Sequence, residues 1–492
     1  MKLGFFFRNK AVYWLAALVR TLETNYDVSA NSGAIANAWT LDVLRQDFAG
    51  RCDGFHYLLE FLQRNWSTFD ISAPNLERLE AMYGGPNLWL DLMSDRYLSS
   101  RPYHDALRMI VGHLTFWERY YDTTGVEAFL MEANDMLSTL TAYRVAMQRG
   151  IDCLTWVSLP TNPQRVGFAH NLYYKPDSVT RCFHRLQESQ LSIEQHQRAD
   201  EHVNAFRAQA ARPIWNEEHL RAPNRPTVRA SNLRSFACRL PAYYLRNGKL
   251  DYTDQGPFAD AIDRLKFVLR ARRLHSSDLF DRPSRDDRFV YFPLHFQPEA
   301  TTLVCAPFHV DQLNLIEQLA RSLPVNMLLY VKEHPVSLGR RPISYYQRIK
   351  KLSNVRLINA SVDSHELIRQ AAATITITGT AGWEALLYER PVIYFGNAFW
   401  DIFPLAKRVT DIAQLPYVFR DWLPTYQPDY ELLLKLVTAL FQGSYPIEGG
   451  SQPDDPDMPD DERIDGVARA IAAELNLQPR GRTISASGLH SH

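Results

Sequence analysis

Met327-Leu-Leu-Tyr-Val-Lys-Glu-His-Pro335, Asn354-Val-Arg-Leu-Ile-Asn359, Thr374-Ile-Thr-Ile-Thr-Gly-Thr-Ala-Gly382 and Pro391-Val-Ile-Tyr-Phe-Gly396 follow one another in a single stretch of the chain. Each holds a short apolar, β-branched or aromatic run of strand length, and the segments between them have helical spacing. Strands alternating with helices predict a parallel sheet covered on both faces. Polar residues gather where the runs end: Lys332, Glu333 and His334 after the first, Gly379 and Thr380 after the third. Open α/β sheets bind ligands at the carboxyl ends of their strands, so a phosphate-bearing ligand is expected at this edge.

Upstream, Phe289 to Phe296 reads as the first strand of the same domain. His295, Gln297 and Glu299 cluster at its carboxyl end between Pro293 and Pro298, an unusual composition for a plain turn. Thr302 to Ala306 reads as a short extension, and Asp311 to Leu323 as a helix. Pro283 to Arg288 is a polar hinge. Downstream, Glu431 to Phe441 and Arg463 to Leu475 read as helices separated by an acidic, Pro-rich linker, and the Ser-, Gly- and His-rich tail from residue 477 is expected to be disordered.

The first half is a second α/β pattern. Leu3 to Phe7 is a strand candidate and Ala11 to Leu22 a helix, joined by the polar loop Arg8-Asn9-Lys10, which makes Asn9 a possible donor contact. Residues 36 to 121 read as mostly helical and rich in aromatics that suit a core. Val126 to Glu132, Leu137 to Arg149 and Ile151 to Val157 form a βαβ unit that puts Glu132 and Asp135 at a strand's carboxyl end. Asp135 suits helix capping as well as chemistry. Residues 176 to 275 read as helical. The expected divisions are 1–282, 283–425, 426–476 and the tail 477–492.

A chain of 492 residues exceeds one ordinary core. A formal net charge of −1 provides no global field for nucleic acid or anionic membrane, and no nucleic-acid partner is expected. Ala11 to Leu22 falls short of the roughly 20 residues that span a bilayer, and the N-terminus suits a strand better than a signal peptide, so cytoplasmic residence is the expectation. The five cysteines are scattered without a CxxC pair and read as reduced structural thiols. No metal-site or P-loop pattern appears, and Asp455-Pro-Asp457 in the acidic linker reads as a chance DxD, so no cofactor or metal is expected.

Three local patterns carry the chemistry. His334-Pro335 turns the chain at the strand end and presents an imidazole, with Lys332 adding a compact positive charge. A strand-end histidine satisfied by backbone groups is the competing reading. Thr378-Gly379-Thr380-Ala381-Gly382 leads from a strand into a helix whose free N–H groups suit an anion, and the Thr378 and Thr380 hydroxyls can add to it. Glu384, in the first helical turn, can accept both hydroxyls of a ribose or merely sit at the helix's positive end.

Together, Tyr291-Phe-Pro-Leu-His-Phe-Gln-Pro-Glu299, Val331-Lys-Glu-His-Pro335, Gly379-Thr-Ala-Gly-Trp-Glu-Ala-Leu386 and Pro391-Val-Ile-Tyr-Phe-Gly396 resemble bacterial capsule and surface polysaccharide biosynthesis proteins, related to the capsule Kdo-transferase group. The resemblance covers about residues 288 to 400. It implies a GT-B-like glycosyltransferase, with two Rossmann-like domains facing across a cleft and extra helices in the first. It further implies that Lys332, His334, Thr378, Gly379 and Thr380 hold the phosphate of a CMP-sugar and that Glu384 lies near the ribose. His295, Gln297 and Glu299 become possible sugar contacts, and an acidic catalytic residue in the first domain falls to Glu132 or Asp135. The implied reaction is transfer of a Kdo-like acidic sugar to a glycan or lipid-linked glycan, without a metal. Peripheral association with inner-membrane assembly machinery is expected, although no basic amphipathic helix announces it. The rivals are a UDP-sugar enzyme, epimerase or polyol-phosphate transferase of the same fold, and a non-catalytic glycan-binding scaffold.

Overall fold

The computed structural model describes residues 1–8, 11–36, 40, 44–45, 55–85, 87–161, 164–208, 237, 240–241, 243–244, 252–253, 256–275, 278–447 and 461–480. Two sheets organise them.

The first sheet begins with β1 (Lys2–Phe7), followed by helix α1 (Ala11–Asn25), β2 (Ser29–Ile35) and β3 (His56–Tyr57). Strands β2 and β3 are absent from the sequence reading: Ser29-Ala-Asn-Ser-Gly-Ala-Ile35 lacks the β-branched character that marks a strand, and β3 is two residues long. The long helix α2 (Tyr103–Thr124) leads to β4 (Ala128–Met131), α3 (Leu137–Gln148), β5 (Asp152–Leu159) and β6 (Arg165–Ala169). In β1, Phe5 and Phe7 pack on the α1 side, whereas Phe6 packs on the α2 side, with its ring 5.5 Å from that of Trp117. A strand buried on both faces therefore reads as a continuous aromatic run. Gly4 is required there, because a Cβ would lie 2.6 Å from the Phe129 ring.

Helices α4 (Asp177–Gln187), α5 (Ile193–Ala208) and α6 (Pro257–His275) precede the second sheet. It comprises β7 (Phe289–Pro293), helices α7 (Ala300–Leu303) and α8 (Gln312–Ser322), β8 (Leu328–Lys332), β9 (Val355–Ile358), α9 (Ser364–Gln370), β10 (Thr374–Thr376), α10 (Thr380–Leu387), β11 (Val392–Tyr394) and β12 (Lys407–Arg408). The expected extension at Thr302 to Ala306 is instead the end of α7 and a turn, since Ala300 to Leu303 closes its own helical hydrogen bonds against Leu140 and Leu172 of the first half.

The chain then returns to the first half. Helix α11 (Tyr430–Gln442) packs on α4 and α5, β13 (Tyr445–Pro446) pairs antiparallel with β6, and α12 (Asp461–Glu474) packs on α1. The acidic linker falls largely at residues 448–460, outside the described residues. The tail is ordered further than expected: Pro479 bridges to Tyr26, and the Arg480 amide donates to the Asn25 carbonyl at 2.9 Å. Residues 481–492 lie outside the described residues.

The strand order of the first sheet is β13-β6-β5-β4-β1-β2-β3, parallel from β5 to β3; that of the second is β12-β11-β10-β7-β8-β9, parallel throughout. In each, the first strand is central and later strands leave to both sides. The direction therefore reverses between β1 and β4 and between β7 and β10. Loops diverge at such a point and open a crevice at the carboxyl ends. The two halves face each other across a cleft of about 1310 Å³, in a GT-B-like arrangement.

Candidate functional site

In the second half, β8 delivers Lys332 and Glu333 to the sheet edge. Glu333 is fully buried. It accepts the His334 amide, the Arg341 guanidinium and the Tyr346 hydroxyl, each at 2.6 Å. Arg341 also donates to the His295 carbonyl at 2.6 Å, so one buried carboxylate braces the loop after β8 against the loop after β7. Such a charge is tolerable inside only when paired and hydrogen-bonded, as here. His334 caps a short 3-10 turn, its Nδ1 accepting the Val336 amide at 3.2 Å. That bond assigns the neutral ring's proton to Nε2, which gives the residue a donor toward an anion.

The loop after β10 is anchored from beneath. The Thr378 amide donates to His295 Nε2 at 3.3 Å, and the Thr378 hydroxyl donates to the Thr301 carbonyl at 2.7 Å. Burial, reinforced by His334 and Arg341, holds the His295 pKa down to about 3. His295 is thus a neutral prop for the turn on the cleft wall. Gln297 donates to the Val310 carbonyl at 2.7 Å, while Glu299 is exposed on the cleft and accepts the Thr301 hydroxyl at 2.9 Å. Gly379 caps α10, and its amide donates to the Thr376 hydroxyl at 3.0 Å. Thr380 is exposed in the first turn. Gly382 serves packing, since a Cβ would lie 2.2 Å from the Trp400 ring.

These pieces converge on one cavity of about 130 Å³, lined by Tyr291, Lys332, His334, Ser364, Thr380 and Glu384, among others. Lys332 is buried and donates to the Ser364 hydroxyl at 3.0 Å. Burial pushes the Glu384 carboxyl up to about 7, with Asp363 adding to the rise and Lys332 opposing it. The cavity joins the interdomain cleft, because His334, Thr380, Ala381 and Glu384 line both. Of the residues read from sequence, Lys332, His334, Thr380 and Glu384 meet here. Thr378 and Gly379 lie on the adjoining cleft wall. Ser364, Arg341 and the brace it forms with Glu333 went unread, while Tyr291 and Glu333 stood inside quoted runs without a role of their own.

In the first half, the crevice between β1 and β4 holds an ionic cluster. Arg8, buried at the end of β1, lies 2.6 Å from Asp135 and 3.5 Å from Glu132. Arg96 reaches Asp135 at 2.8 Å from the turn that precedes α2. Burial alone would raise the Asp135 carboxyl, but Arg8 and Arg96 outweigh it and hold the group below its usual range. Asp135 does not take the capping role, because Met136 occupies the N-cap of α3 and the first helical amide, that of Leu137, donates to Asp95 at 2.9 Å. Glu132 lines the cleft. Asn9 lies outside the described residues. The halves are joined across the cleft by Lys175–Asp401 at 2.5 Å and by the Ser94 hydroxyl donating to the Leu303 carbonyl at 2.8 Å.

No helix among the described residues is long and apolar enough to cross a membrane. The chain is 30% identical to the capsule polysaccharide export protein KpsS of Escherichia coli over 132 residues, which is 25% of this chain and 32% of that protein. It is 30% identical to protein FixF of Sinorhizobium fredii (strain NBRC 101917 / NGR234) over 145 residues, 28% of this chain and 34% of that protein. The matches thus span about a third of each relative's length. Among solved structures, the KpsC β-Kdo 2,7 transferase of Thermosulfurimonas dismutans aligns with a TM-score of 0.34 at 14% identity, covering 73% of this chain and 89% of that one. The UDP-GlcNAc 2-epimerase of Neisseria meningitidis aligns with a TM-score of 0.24 at 12% identity, covering 97% and 100%. Residues 198–415, which include every residue of the second-half cavity, match the family model described as capsule polysaccharide biosynthesis protein.

Proposed function

We propose that this protein is a glycosyltransferase of capsule or surface polysaccharide biosynthesis that moves a Kdo-like acidic sugar from a CMP-activated donor to a glycan or lipid-linked glycan acceptor. The observation that carries the reading is the single cavity in which Lys332, His334, the first turn of α10 and Glu384 meet and open onto the interdomain cleft. Within this family domain, the arrangement suits a nucleoside phosphate. The imidazole Nε2–H and the α10 amides receive the phosphate, and Glu384 takes the ribose hydroxyls. Placed before the reaction begins, these donors stabilise the departing nucleotide as its charge develops. Glu132, on the facing wall, acts on the acceptor hydroxyl as base, or on the sugar as nucleophile if configuration is retained. Asp135, held by two guanidinium groups, positions Arg8 and leaves Glu132 as the working carboxylate.

The test is thermal-shift and calorimetric titration with CMP, UMP, GMP and CDP-glycerol, since a ligand of the folded state raises the melting midpoint. CMP is expected to bind selectively, and His334→Ala to weaken it roughly ten- to hundredfold, the worth of one charge-assisted hydrogen bond. Transfer from CMP-Kdo is expected to persist in EDTA. Selectivity for UMP would overturn the donor assignment in favour of a UDP-sugar enzyme. Nucleotide binding without transfer to any acceptor would overturn the enzymatic reading.

A further inference from the structure

The turn that joins β6 to α4 carries a cleft residue with no part in the donor site. Asn171 builds the turn: its side-chain oxygen accepts the Tyr173 amide at 2.9 Å, and its side-chain nitrogen donates to the Lys175 carbonyl at 2.7 Å. Tyr174, between them, has a φ of 55°, a left-handed conformation that a bulky side chain rarely holds. Strain of this kind persists only where surrounding contacts fix it, and it gathers at sites of function. Here the contacts are with the loop after β4. The Asn134 amide donates to the Tyr174 hydroxyl at 2.6 Å, and the Asn134 side chain donates to the Asn171 carbonyl at 3.4 Å. The Tyr174 side chain is partly exposed and lines the cleft together with Glu132, two residues before Asn134. Lys175 of the same turn is tied to Asp401 of the second half, so the phenol is held between the two halves.

The hydroxyl oxygen is thus occupied as an acceptor, while among the described residues nothing receives its proton. Burial, with Asp135 and Cys305 nearby, holds the phenol well above its ordinary range, so it stays a donor. Among the described residues the cations around it are already committed: Arg8 and Arg96 to Asp135, and Lys175 to Asp401. An anionic group at this wall would also face the Glu132 carboxylate. The complement of a neutral donor beside a carboxylate is two neutral oxygens, one that accepts and one that donates, and neighbouring hydroxyls of a sugar ring supply both. We infer that Tyr174 is an acceptor-binding residue: its hydroxyl donates to the oxygen next to the hydroxyl on which Glu132 acts, and so fixes which oxygen of a neutral pyranose is presented for transfer. The inference rests on the proposed role of Glu132 as base toward an acceptor hydroxyl; it does not depend on which nucleotide the second half holds.

Ligand-observed NMR of the full chain with the methyl β-glycosides of glucose, galactose and N-acetylglucosamine, in the presence of CMP, reads the contact without any transfer. At least one glycoside is expected to bind. Tyr174→Phe is expected to weaken it about tenfold, the worth of one hydrogen bond, with CMP affinity unchanged. Monodeoxy forms of the same glycoside separate contact from structure. The form lacking the oxygen that Tyr174 meets should bind the parent as weakly as the intact glycoside binds the variant, and Tyr174→Phe should weaken it no further. A loss that is equal for every deoxy form would overturn the proposal, because the hydroxyl would then act only by holding the Asn134 loop. So would failure of all these glycosides to bind, or undiminished binding by Tyr174→Phe. Where the Phe variant does not fold, Tyr174→Asn removes the same hydroxyl with a residue that tolerates this backbone, and the same comparison applies. CMP binding without glycoside binding would sink this inference alone, and glycoside binding without CMP binding would sink the donor site alone.

Discussion

The crevice between β7 and β10 and the crevice between β1 and β4 occupy the same topological place in two sheets of similar design, yet they are filled by opposite means. The second is assembled from the loops at the ends of successive strands, and it leaves an imidazole, an ammonium, helix amides and a carboxylate around an open cavity. The first is filled by its own ions: Arg8 and Arg96 converge on Asp135, and Glu132 remains on the cleft wall. Similar folds thus yield one half ready to receive a charged ligand and one half whose charges are largely satisfied internally. In a two-sided transferase, donor binding would follow the second half and chemistry the first.

The strongest way to break that comparison is Glu132→Gln. Removing a working acid or base is expected to lower the transfer rate by about 10²- to 10⁴-fold, with CMP affinity unchanged. Steady-state transfer from CMP-Kdo alongside calorimetric CMP titration reads both. An unaltered rate would remove the first half from the chemistry. Asp135→Asn should act on the fold instead. It leaves the buried Arg8 without its main counter-charge, and breaking such a pair costs about 3–5 kcal/mol, read from urea unfolding. Glu132→Gln, at the long end of a 3.5 Å contact, should unfold close to the parent. Equal stability of the two variants would mean that the cluster is not held as an ion network.

The same contrast explains what could be read from sequence. Lys332, His334 and the Thr378–Glu384 segment were legible because each directly follows or begins an element, and strand ends announce themselves through prolines and glycines. Arg8 was visible only as a polar loop residue, and Arg96 not at all, because their pairing with Asp135 is long-range. His295 and Gln297 carry a structural part that sequence could not show: their hydrogen bonds hold the Thr378 turn and the Val310 backbone, and His295 also lines the cleft.

A finer probe of the donor half is Glu384, whose carboxyl is pushed up to about 7 by burial. If it receives the ribose as proposed, the carboxylate accepts both hydroxyls, and the neutral acid loses half that capacity. Affinity should therefore rise with pH through about 7. Cytidine is the ligand to use, since it lacks a phosphate that would titrate nearby. Its binding is expected to be about tenfold weaker at pH 6 than at pH 8, following the ionised fraction of Glu384, and Glu384→Gln should flatten the profile. A profile that stays steep in Glu384→Gln would place the titrating group elsewhere in the cavity.

The smallest expected effect concerns how the first half is closed by the end of the chain. His170 lies 2.6 Å from Asp152 on β5 and 3.2 Å from Glu474 at the end of α12, and Tyr445 of β13 donates to the same Glu474 at 3.1 Å. The Asp152 and Glu474 hydrogen bonds, working against burial, raise the His170 pKa to about 10. A folded pKa above the unfolded value of about 6.5 stabilises the fold fully below pH 6.5; the contribution then fades as pH rises and is gone above about 10. Asp152 is nearly half exposed, so water screens the pair and its worth is about 1 kcal/mol. Urea unfolding of the parent and of His170→Gln should differ by that amount at pH 6 and converge toward pH 10. A gap that persists unchanged to pH 10 would mean the ring acts by packing, and the long-range ionic logic of the first half would then end at Arg8 and Asp135, short of the C-terminal helix.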